Sequence, residues 1–302
     1  MIDDDIHEIL DNAYESDDAD EVAELVERAL ELDPDNPEAL LLKADLVEDD
    51  EERLQILEQA LKETRRYFEE EGLSDDDILE DEMGLVYLGL LQRAAFTFFA
   101  LERDDHSFEL VKELLRYDHE DHGMAKTLYY RILLEREEWA NVLEESVKET
   151  SRGLAWAYAR LVASFMLSDD ENEKNGAGME KLRKMLWDAV RMAPNVPFYM
   201  LGYIPDPVDE SEPEEDDFHF GLMFENVWSI SREMLNWFSK AVILFGLLSG
   251  RFGEESGDME EILFALDGAS DYEELTRSLA GAPEDDNTIL DALSVGNYPT
   301  KL

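Results

Sequence analysis

Cysteine is absent from the 302-residue chain. That excludes disulfides, thiolate zinc sites and a cysteine nucleophile. Basic residues are scarce: 26 Lys and Arg face 76 Asp and Glu, a formal net charge of −50. Such a field repels phosphate backbones and anionic lipid surfaces, so neither nucleic acid nor membrane is an expected partner. Long apolar runs are missing as well. A run such as "AVILFGLL" at Ala241–Leu248 is far short of the roughly 20 residues that cross a bilayer. The opening "MIDDDIHEIL" has neither the basic nor the apolar region of a signal peptide, so a cytoplasmic location is expected. No stretch alternates with period two for long enough to suggest a sheet. There is no G-x-S-x-G, no G-x-x-x-x-G-K-[ST] and no G-x-G-x-x-G after a strand. The expectation is a non-enzymatic protein with no cofactor and no metal.

What is present is acid at the two ends. Met1–Glu82 holds 33 acids and 6 bases, a balance of 6 − 33 = −27. Met83–Ile204 holds 20 and 15, or −5, and Pro205–Leu302 holds 23 and 5, or −18. Apolar residues still make up 44%, enough to build a core. They recur at helical spacing. Val22, Leu25, Val26, Ala29 and Leu30 fall at i, i+3, i+4, i+7 and i+8, which is one face of a helix. That helix ends at Asp33-Pro34, because proline disfavours helix in the residue before it. Pro37 sits where a first helical turn tolerates a missing N–H.

The turn is echoed. "ALELDPDNPEA", "LLRYDHEDHGMA" at 114–125 and "AVRMAPNVPFY" at 189–199 share one frame: an apolar helix end, Asp-Pro or its substitute, a polar pair and a new helix. With antiparallel helices of about 12–18 residues, this resembles the tetratricopeptide repeat. The fold expected is all-α: a solenoid of antiparallel helix pairs in a right-handed superhelix. In that frame Asp118-His119 takes the place of Asp33-Pro34, so "DHEDHG" reads as an inter-repeat turn. His119 and His122 are also spaced i, i+3, not the i, i+4 of a helical zinc motif.

A second resemblance lies in Gly153–Ile243. It is carried by Trp156, Ala157, Tyr158 and Ala159, by Pro194, Asn195, Val196, Pro197, Tyr199, Leu201 and Gly202, by Phe220-Gly221 and Trp228, and by Leu235 and Trp237. This region resembles the C-terminal repeats of the suppression-of-tumorigenicity family and its bacterial relatives. It departs from them at Ala193 and in the enlarged acidic loop after Gly202. The resemblance implies a helical-repeat interaction module and no known reaction.

Three regions are expected: acidic N-terminal repeats over 1–72, a central helical-repeat domain over 73–250, and short capping helices or an acidic tail over 251–302. Gly72 is a helix stop, followed by one long apolar helix over Ile78–Glu102. Residues 205–217, with three prolines and eight acids, read as an extended exposed loop. Phe96, Phe98, Phe99, Trp156 and Tyr158 read as core.

The functional expectation is a scaffold whose groove binds a basic protein or peptide. An escort chaperone for a basic ribosomal or nucleic-acid-binding protein and an acidic nucleic-acid mimic are the alternatives, with a metal-dependent hydrolase more remote. Charge supplies rate and selectivity more than affinity, so an apolar anchor is also required. On the repeat register, Asp45, Lys126 and Tyr130 take groove-facing positions, with Tyr130 as the anchor.

Overall fold

Part of the acidic surplus caps helices. Asp18 accepts hydrogen bonds from the N–H groups of Asp20 and Glu21, and Asn36 accepts one from Ala39. Asp49, Asp81 and Asp285 do the same for Glu52, Met83 and Thr288. Each cap satisfies a donor the helix itself cannot, worth about 1 kcal/mol. The computed structural model describes residues 2–118, 124–168, 177–207, 213–283 and 285–300, and among these the chain is all-helical with no strand.

The chain divides into two compact units, 1–129 and 130–302. The first contains α1 (Ile2–Glu15), α2 (Ala19–Leu32), α3 (Pro37–Asp45), α4 (Asp50–Glu71), α5 (Asp75–Ile78), α6 (Glu82–Ala100) and α7 (Asp104–Tyr117). Helices pack in succession: α1 on α2, α2 on α3, α3 on α4, α4 on α6 and α6 on α7, with α3 also reaching α6. Ile6, Ile9 and Leu10 of α1 bury against Ala29 and Ala39. Leu57, Leu61 and Phe68 of α4 share a larger core with Tyr87, Leu90 and Leu91 of α6 and Leu114 of α7. That shared core overturns a boundary after residue 72. Gly72 does end α4, in the left-handed conformation (φ 69°), but it is a turn inside one packed unit.

The single helix expected over Ile78–Glu102 is two. After α5 the chain turns, and Asp81 restarts it as α6. Gly84 permits the turn: a Cβ there would lie 2.0 Å from the Ile78 carbonyl oxygen. α6 is long and apolar enough to cross a membrane, a property that a search for unbroken apolar runs misses because Gln92 and Arg93 interrupt it. Half of that stretch is buried inside the protein.

The division between units falls at Tyr129–Tyr130, within α8 (Ala125–Glu135). The second unit continues with α9 (Trp139–Lys148), α10 (Leu154–Met166), α11 (Ala177–Met192), α12 (Val196–Met200), α13 (Pro213–Phe224) and α14 (Arg232–Leu248). Then come α15 (Ser256–Ala265), α16 (Ala269–Ser278) and α17 (Asp286–Val295). Tyr158, Phe220, Trp228 and Trp237 lie in this unit's core, whereas Trp156, expected there, is half-buried between Arg152 and Arg160. Tyr158 meets Phe220 and Trp228 at 6.0 and 6.2 Å, and Trp228 stacks on Phe238 at 3.6 Å. Gly221 lets α13 approach α12, since a Cβ there would meet that of Tyr199 at 2.6 Å.

Two expectations about this unit change. Residues 213–217, read as part of an extended loop, open α13 instead. Proline at a first helical position followed by acids is a favourable helix start. The segment after 250 is packed, not a free acidic tail. α17 buries Ile289, Leu290 and Leu293 and lies against α11 and α14. Trp187 Nε1 donates to the Tyr298 carbonyl at 2.8 Å, and Asp271 accepts from the N–H and hydroxyl of Thr300 at 2.8 and 2.6 Å.

Candidate functional site: an acidic cleft in the N-terminal unit

α4 presents two neighbouring stripes to two different depressions. Residues 63, 67 and 70 face one, and 58, 61, 62, 65 and 69 face the other, while Arg66 borders both. At 100° per residue, positions one apart lie on adjacent faces of a helix, so the α4 backbone is a wall with Arg66 on its crest.

The first depression, about 710 Å³, is walled by α1, the α2–α3 turn, α4 and the start of α6. Its apolar floor is Ile6, Leu10, Met83 and Val86. Around that floor stand seven carboxylates: Asp33, Asp35 and Glu38 from the turn and α3, Glu63 and Glu70 from α4, and Asp81 and Glu82 from α6. Arg66 and His7 are the bases that line it, and Lys62, outside the lining, lies 3.5 Å from Glu63. Arg66 lies 2.8 Å from Glu63 and 3.8 Å from Glu70. Gln59 donates to Asp35 at 2.9 Å, and the Tyr67 hydroxyl to Asp81 at 3.3 Å.

Glu38 is half-buried, and loss of hydration holds its carboxyl above the usual range, although His7 and the Tyr14 hydroxyl oppose the shift. Glu63 is 7% exposed, and its Oε2, although near Arg66, has no well-aligned hydrogen bond among the described residues. A carboxylate so placed gains from an added cationic donor. Among the described residues no three His, Asp or Glu side chains gather into a group able to hold a metal ion. The turn with His119 and His122 lies outside the described residues.

The second depression, about 770 Å³, lies between α4 and α7 over Phe98 of α6. Leu61, Phe98 and Leu110 make it apolar. His106 stacks on Phe98, ring centres 5.2 Å apart and planes 16° from parallel. Its charge is nearly balanced: Lys62, Arg65 and Arg66 on the α4 side, Asp105 and Glu109 on the α7 side, and Glu58 and Glu69 along α4. Arg65 is fixed by the Tyr87 hydroxyl at 3.1 Å and Glu113 at 2.8 Å.

The structure does not gather Asp45, Lys126 and Tyr130 into a groove. Asp45 is held by Arg93, whose Nε lies 2.7 and 2.9 Å from its two oxygens. Lys126 is half-buried on α8. Tyr130 is 2% exposed and belongs to the core, so it is no surface anchor. The reason is that most of α8 is core: Thr127, Leu128 and all of Tyr130–Leu134 are buried, and only Lys126, Tyr129 and Glu135 reach solvent, so Tyr130 does not share their exposure. The cleft residues are not legible along the chain because they come from four separated segments, three that read as ordinary solvated helix surface and one, at 33–38, that reads as a turn. Three bases within Lys62–Arg66, half of the six in Met1–Glu82, were the one visible anomaly.

No family model matches the chain, and no curated protein or solved structure matches it.

Proposed function

We propose that the protein is a non-enzymatic docking module, and that the acidic cleft of its N-terminal unit takes a basic segment of another protein. The observation that carries this reading is the ratio in the cleft: seven carboxylates to one arginine and one histidine, over an apolar floor. Lysine and arginine side chains combine an apolar stem with a charged head and fit such a lining. Consecutively packed helices and the echoed inter-repeat turns support a tetratricopeptide-like solenoid as the scaffold. The net charge supports a cytoplasmic protein that avoids nucleic acid and anionic membranes.

The test is binding of a fluorescent Lys/Arg-rich peptide to the full chain across a salt series. Affinity should fall as salt rises, since exposed charges are screened over about 8–10 Å at physiological ionic strength. The triple variant Asp35→Lys, Glu70→Lys, Glu82→Lys should weaken binding by about tenfold or more. A control variant, Glu254→Lys, Glu255→Lys, Glu273→Lys, makes the same change in net charge on exposed sites of the other unit and should change affinity little. Equal loss in both variants would mean that the charge acts diffusely and that the cleft is not the site.

A further inference from the structure

The acidic cleft leaves one requirement unmet. Attraction between exposed charges is weak at physiological salt, and tight binding needs a buried apolar contact near the centre of the interface. Tyr130 does not supply it. The apolar groove on the other side of α4 does, and the two depressions flank one helix and share Arg66 as a lining residue.

We infer that the segment recognised is bipartite: cationic residues in the acidic cleft, then a short crossing over Arg66, then one large aromatic side chain in the groove between α4 and α7. This rests on the docking reading above and specifies its ligand. Three features select an aromatic residue there and not a further cation. The floor formed by Leu61, Phe98 and Leu110 is apolar. His106 is exposed and lies flat on the buried Phe98, giving a ledge for a third ring. The groove's three bases and four acids nearly cancel, so it does not share the cleft's pull on lysine.

Geometry sets the spacing. Crossing the crest of a helix about 10–12 Å in diameter takes about three to four extended residues. Arg66 is itself a cation at the crossing, 2.8 Å from Glu63 and 3.8 Å from Glu70, so a lysine there would meet like charge and the crossing residues are neutral.

Four labelled peptides test this on the full chain: a five-residue Lys/Arg block alone, and the block joined to tryptophan through one, four or eight Gly/Ser residues. The four-residue version should bind about tenfold tighter than the block alone, the gain expected from burying one aromatic side chain. The salt dependence should be unchanged, and the one-residue version should show no gain. His106→Ala should erase the tryptophan gain while leaving affinity for the block intact. The inference is overturned if tryptophan adds nothing, or adds equally at every spacing and in His106→Ala, while the block still binds. In that case the docking reading stands and its ligand is purely cationic. If neither the block nor its tryptophan versions bind, the docking reading fails and the bipartite segment with it.

Discussion

Two tyrosines separate what a side chain looks like from what it does. Tyr130 was the natural candidate for a ligand anchor, yet it is fully enclosed. Tyr130→Ala should therefore cost about 3–5 kcal/mol of folding stability through the cavity it leaves, and denaturant unfolding will measure that loss. A variant of unchanged stability would place the ring at the surface. Tyr158 is enclosed too, but its hydroxyl has no hydrogen-bond partner among the described residues, and burial drives its pKa far above the ordinary phenol value. An unmatched buried hydroxyl is a liability of roughly 1–3 kcal/mol. Tyr158→Phe should accordingly leave stability equal or raise it, the opposite sign from Tyr130→Ala.

At the scale of elements, the last helices are held by polar contacts that bridge distant parts of the second unit. Arg251, just after α14, lies over Phe245 at 4.7 Å and grips both oxygens of Asp286, at the start of α17, at 2.8 and 2.7 Å. The guanidinium holds the Asp286 carboxyl below its ordinary value of 3.8. A lowered carboxyl pKa contributes stability that is fully present above the ordinary value and lost as pH falls through the lowered one. The pair is part-exposed, so its worth is about 1 kcal/mol after solvent screening. Asp286→Asn should lower stability by that amount near pH 7, and the difference from the natural chain should begin to shrink below about pH 4 and vanish only once pH has fallen through the lowered Asp286 value. A gap that persists unchanged into acid would mean that packing, not charge, joins α17 to α14.

The whole molecule carries a balance of −50. Caps and local ion pairs absorb some of the carboxylates, but self-repulsion among the rest opposes the compact state. Raising ionic strength from about 0.01 to 1 M shortens the screening length from about 30 to 3 Å. The melting temperature should rise by several degrees over that range, while peptide binding in the cleft weakens over the same series. Opposite responses of stability and binding to one variable would separate the cost of the charge from its use. A melting temperature indifferent to salt would show that the carboxylates are locally compensated throughout.

The amino-acid sequence by itself determined the all-helical class and most helix ends. Those are decided by contacts a few residues long: Asp33-Pro34 stopping α2, Asn36 and Pro37 starting α3, Gly72 closing α4. Some local signals were legible and misassigned. Pro213 with its following acids started a helix where a loop was expected, and Gly84 let the chain turn where an unbroken helix was expected. Tertiary structure alone decided which faces are buried. Periodicity reports that a helix has an apolar side, not that most of α8 is core, nor that α17 returns to α11 and α14. It also decided the site. Carboxylates at 33–38, 63–70 and 81–82 are ordinary solvated acids along the chain. Only the packing of α1, α3, α4 and α6 turns them inward on one cleft, because the field at a point sums over space and not over sequence.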